Sequence, residues 1–127
     1  MAKVQAEFLK DRAEKFSEVA QGLLERGVYD LAAFNFEQYC QLILKYHLFR
    51  LLGDFPKTHF LKELFDGLAK ASKKKEIQNF KKANINIISD LENAYLTSRY
   101  LPAIFDKDQV ENMNEFYHKL GQLLKKL

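Results

Sequence analysis

LAAFNFEQYCQLILKYHLFRLL, residues 31–52, is the stretch whose reading decides the fold. It contains neither Gly nor Pro, so nothing in it breaks a helix. Asp30 before it and Gly53 after it serve as start and stop signals. At ~1.5 Å per residue the helix spans about 33 Å, the width of a small domain. Its apolar residues cover several sides. Leu31, Phe34, Leu42, Phe49 and Leu52 face one way, Phe36, Tyr39, Ile43 and Tyr46 another, and Leu44, Leu48 and Leu51 widen the coverage. A helix apolar over most of its circumference is buried over most of it. It is therefore either central in a bundle, or covered on one face by its own chain and on another by a second chain. Asn35, Glu37, Gln38, Gln41, Lys45, His47 and Arg50 interrupt the run and argue against a membrane span.

The 127 residues fit one domain, read as 1–127. A 47% hydrophobic and 29% charged chain is globular rather than disordered. A net charge of +3 permits nucleic-acid binding without demanding it. One cysteine, Cys40, excludes an intrachain disulfide and suits a reducing compartment. The N-terminal stretch is charged, with no apolar signal-peptide core, so a cytoplasmic location is expected.

Outward from the central stretch, every segment has helical spacing. Leu9, Ala13, Phe16, Ala20 and Leu23 form one face of a first helix, with Gly27 at its C-terminal cap position. Gly22 inside that helix suggests a close approach of another helix. After the loop GDFPKTH, Thr58 is placed to cap a helix carrying Leu61, Leu64, Phe65 and Leu68. Lys70 to Lys82 is the most basic part of the chain and reads as a loop or a broken helix. Phe80 through Ser98 reads as another long helix, ending near Tyr100 because Pro102 follows. Asp106 and Gln109 form a capping box for the last helix. No period-two alternation bounded by hairpin turns is present. The fold expected is all-α, an up-and-down antiparallel bundle of four long helices and one short one.

Chemistry is sparse. No Gly-rich phosphate loop occurs, and His47, His59 and His118 lie on three segments without a second ligand at metal spacing. No cofactor or metal is expected, and Cys40 reads as a small buried hydrophobe. Tyr95 and Arg99, four residues apart, share a helix face near its end. Arg99 either caps the helix and bonds a carboxylate such as Asp106, or presents its guanidinium to a phosphate.

The segments GVYDLAAFNFEQYCQLILK, TH before a Leu-rich helix, and LENAYLTSRYLP resemble the HEPN domains (higher eukaryotes and prokaryotes nucleotide-binding) along nearly the whole chain. Gln38, Leu44 and Lys45 match the second-helix pattern, with Gln41 where Glu is usual. Thr58 and His59 match the Thr-His, and Tyr95, Ser98, Arg99 and Tyr100 match Tyr-x-x-Ser-Arg-Tyr-Pro, with Leu101 inserted before Pro102.

The resemblance implies a helical bundle, usually a homodimer, and a small nucleotidyltransferase as partner, often in a toxin–antitoxin pair. Many members are metal-independent ribonucleases with a His four to six residues beyond an Arg. The corresponding window here is Ile104, Phe105 and Asp106, and the His is missing. The expectation is thus a non-catalytic module for a nucleotide or RNA, with little ribonuclease activity and no catalytic residue assigned. Its ligand contacts would be Arg99 and Tyr95, then Lys45 and His59. The alternative is a ribonuclease toxin with a rearranged site. Excess apolar surface on residues 31–52 also suggests the dimer.

Overall fold

The computed structural model describes residues 2–102 and 104–127; Met1 and Ala103 of the domain read from the sequence lie outside the described residues. Six helices are present among them: α1 (Ala2–Glu25), α2 (Tyr29–Leu52), α3 (Leu61–Ser72), α4 (Lys75–Ala83), α5 (Ile85–Thr97) and α6 (Lys107–Leu124). The expectation of four long helices and one short one is corrected on this point, while the all-α class stands.

The correction arises at Asn84. The apolar repeat runs unbroken from Phe80 to Ile88, but the backbone does not. Asn84 sits at φ −117°, ψ 23°, and its side-chain amide donates to the Phe80 carbonyl at 2.9 Å. A short amide side chain that satisfies the preceding turn competes with helix continuation. The chain turns there, and α4 and α5 become separate elements. The basic stretch is broken as well. Lys73 adopts a left-handed φ of 58° between α3 and α4.

Helix α2 is the axis of the molecule and packs against α1, α3, α5 and α6. Ala32, Ala33, Phe36, Cys40, Leu44 and Leu48 are buried on it. Its apolar surface is thus largely consumed within one chain. Gly53 closes the helix at φ 77°, donating its N–H to the Phe49 carbonyl. Gly27, at φ 76°, turns α1 into α2. Lys10, early in α1, lies 6.0 Å from the Tyr46 ring late in α2, so the two run antiparallel. Ala6, Ala13 and Ala20 are buried at seven-residue intervals along α1. Small side chains at that spacing let the two helices approach closely.

Of the three expected helix starts, Asp30 lies inside α2, whose N-cap is Val28, and the other two differ in outcome. The Asp106–Gln109 box is formed, with bonds of 2.9 and 3.0 Å. Thr58 does not cap α3, whose N-cap is Phe60. Instead the Thr58 hydroxyl accepts the Phe60 N–H at 3.1 Å and donates to the Glu63 carboxylate. The α3 amide of Lys62 is satisfied from another helix, by Glu92.

Gly22 is not at a close helix contact. A Cβ placed there meets nothing within 4 Å, and its φ is not in the left-handed region. Gly22→Ala therefore adds helix propensity without a clash and is expected to stabilise the protein by about 0.5–1 kcal/mol. Thermal unfolding of the variant checks this: the expected outcome is a melting temperature a few degrees higher.

Candidate functional site

The site is built where α5, the start of α3 and the first turns of α2 meet. Two antiparallel staples join α3 to α5. In the first, Glu92 accepts the Lys62 backbone N–H at 3.0 Å and pairs with its ammonium group at 3.3 Å. A carboxylate at a helix N-terminus satisfies an orphan donor and faces the positive end of the dipole. In the second, one turn later on α5 and three residues earlier in the other segment, Tyr95 stacks on His59. Their ring centroids are 4.8 Å apart at 26°. The Glu92 bond fixes the start of α3, and His59 is thereby held against Tyr95.

Around Tyr95 the cluster is aromatic and cationic. Phe34 of α2 lies nearly parallel to it, with centroids 6.3 Å apart at 9°. The Arg99 guanidinium carbon is 5.3 Å from the Tyr95 ring centre, 5.9 Å from Phe34 and 5.1 Å from Tyr100. Cation–π contacts of this kind contribute roughly 0.5–1 kcal/mol each where exposed. Arg99 is exposed, and among the described residues no carboxylate oxygen lies within 4 Å of it. Among the described residues it forms no ion pair with Asp106 or another acid; three rings surround it, and it is exposed. Ser98, one residue earlier, buries a hydroxyl that has no hydrogen-bond partner among the described residues.

Three of the four residues expected at the site, Arg99, Tyr95 and His59, are brought together. Lys45 is not among their contacts. It lies on the same face of α2 as Phe34, about 16 Å further along the axis. Its ammonium sits 5.4 Å from the Phe55 ring. Burial holds the Lys45 pKa below the usual lysine value, and Glu37 partly offsets this.

Glu37 was not singled out by the sequence reading. It is fully buried, accepting 2.8 Å and 2.5 Å bonds from the amides of Gln38 and Gln41. Burial raises its pKa to about 7 against those two bonds, with the charge of Glu92 adding to the rise. The available signal was its position one turn before Gln41, where the family pattern places a carboxylate. Among the described residues no group of three or more potential ligands is arranged to hold a metal ion. No helix among them is long and apolar enough to cross a membrane.

The arrangement is a small helical bundle displaying an arginine and a histidine on one aromatic platform. The HEPN domain family model matches residues 6–127, and the chain belongs to the HEPN family. No curated protein and no solved structure matches it significantly.

The Glu37 shift makes stability depend on pH in a defined direction. Its folded value, about 7, exceeds the ordinary 4.5, so between these the native state binds more protons. The contribution of the protonated acid is complete below about pH 4.5 and is lost as pH rises through 7. Glu37→Gln mimics the neutral acid. Relative to wild type it is expected to melt similarly at pH 5 and higher at pH 8, by up to about 3 kcal/mol. Melting curves at the two pH values test this; an equal effect at both would overturn the assignment.

Proposed function

We propose that this HEPN domain binds single-stranded RNA at the Arg99–Tyr95–His59 cluster and cleaves it without a metal ion. The observation that supports this reading is the shared ring: Tyr95 carries Arg99 at 5.3 Å and His59 at 4.8 Å. An arginine and a histidine thus stand together, although no histidine occupies the window after Arg99. Cleavage needs a proton carrier active near neutral pH, and imidazole is the side chain suited to it. In this reading His59 takes the proton of a ribose 2′-hydroxyl. The resulting oxygen attacks the adjacent phosphorus and expels the 5′-oxygen, which takes a proton from water as it leaves, giving a 2′,3′-cyclic phosphate and a free 5′-hydroxyl. Arg99 binds the phosphoryl oxygens through paired N–H donors and stabilises their growing charge. Tyr100, 74% exposed beside Arg99, offers a face for a stacked base.

The experiment is cleavage of labelled single-stranded RNA in excess chelator. A cyclic-phosphate product is expected, with Arg99→Ala and His59→Ala each slowing its formation at least about hundredfold. Binding that depends on Arg99, with no cleavage, would favour a second reading. That reading is a non-catalytic nucleotide module working with a small nucleotidyltransferase, as in a toxin–antitoxin pair. The exposed guanidinium stacked on three rings suits such recognition as well.

The same reading includes a homodimer. The interface lies beside Arg99 rather than on α2, most of whose apolar surface its own chain covers. Leu96, Tyr100, Leu101 and Ile104 are exposed apolar residues flanking Arg99. On a two-fold axis this patch meets itself and brings two sites together. Sedimentation at micromolar concentration is expected to give a dimer, and Leu101→Glu a monomer, because two like charges would then face each other.

A further inference from the structure

A second site lies on the opposite side of α2. Successive helix residues advance by about 100°, so Tyr39, Ile43, Tyr46 and Arg50 lie about half a turn from Phe34, Gln38 and Lys45. There α1, α2 and α6 line a half-open cavity of about 570 Å³. A space of that size suits a small molecule. Lys10, Arg50 and Lys125 line it from three directions, with Glu14 as the one acidic side chain in the lining.

Two of these cations share one ring, and none of the three is in an ion pair among the described residues. Lys10 and Arg50 converge on one ring, at 6.0 Å and 5.6 Å from the centre of Tyr46. Among the described residues, none of the three has a carboxylate oxygen within 4 Å. Holding like charges together beside apolar walls is unfavourable without an anion, and such a concavity focuses a positive field. The histidine on this wall registers that field. His47 is depressed to about 4, first by burial and then by the charges of Arg50 and Lys10. At neutral pH it is an uncharged ring that can donate or accept a hydrogen bond. His118 lines the same cavity from α6, beside Tyr117, which meets Tyr39 edge-on at 4.7 Å.

We infer that this cavity is a binding site for a phosphate group of a small molecule, separate from the Arg99 cluster. Arg50 supplies paired donors to the phosphate oxygens, and Lys10 and Lys125 supply compact charge. The tyrosine faces accommodate whatever planar group the phosphate carries.

Inorganic phosphate, pyrophosphate and adenosine monophosphate serve as probes, with chloride at matched ionic strength as the control. Titrations are followed by calorimetry and by the NMR signals of the His47 and His118 rings. Saturable binding is expected, moving both rings, with affinity reduced at least tenfold in Arg50→Gln and in Lys10→Gln. Lys70→Gln should bind as wild type does, and Arg99→Ala should lose only binding at its own cluster and leave the His47 and His118 shifts in place. Tighter binding of the nucleotide than of pyrophosphate would identify a phosphate carried on a planar group; the reverse would identify a bare polyphosphate. The inference is overturned if binding is absent or unsaturable, or if Lys70→Gln weakens it equally. It is also overturned if Arg99→Ala alone abolishes it. Arg50 is exposed, so its variant is expected to fold; circular dichroism checks this, and Lys10→Gln gives an independent reading.

Discussion

Everything in this molecule depends on enclosing α2. A 24-residue helix with apolar side chains on nearly every side has no stable place at a surface. Four other helices contact it, and each brings one apolar stripe. α1 makes the most extensive contact with it, and Ala6, Ala13 and Ala20 are buried along α1. Each fully buried Phe or Leu contributes roughly 1.5–3 kcal/mol against chain entropy. The polar residues of α2 are then left at the seams between neighbours, and at those seams the chemistry appears.

On one seam the Glu92 carboxylate serves structure and site together. It terminates the unsatisfied end of α3 and sets the distance between that end and α5. His59 and Tyr95 meet because this distance is fixed. Beneath them Glu37 is buried close enough to Glu92 to feel its charge. A second carboxylate there is tolerated because two glutamine amides hold it and a proton neutralises it near pH 7.

Local features were the legible ones. The all-round apolar pattern of residues 31–52 identified the central helix, and Gly27, Gly53 and the Asp106–Gln109 box marked real ends. Tyr95 and Arg99 could be placed on one face from their spacing alone. The break at Asn84 was missed because the apolar period continues across it, and only the asparagine amide ends the helix. Thr58 looked like a cap because the carboxylate that takes the Lys62 N–H belongs to Glu92, thirty residues beyond Lys62. His59 entered through family resemblance, since no spacing rule connects it to Arg99. His47 and His118 looked isolated on separate segments; α2 and α6 run in the same direction against α1, and their packing places both on one cavity. Long-range juxtaposition, not helix formation, was the hidden part.

The staple between α3 and α5 also sets how the site responds to partial opening of the fold. An arginine and a histidine on one helix would keep their separation as long as that helix lasted. Here the two side chains come from segments joined through a cap thirty residues apart in sequence. Detaching the first turn of α3 from Glu92 would release His59 while leaving Arg99 in place and most of the core intact. The integrity of the pair is therefore governed by a sub-global opening free energy, smaller than that of complete unfolding. The amides of residues 61–64 should exchange hydrogen with solvent before those of α2 do, and their protection is a direct gauge of how firmly the two halves of the site are joined.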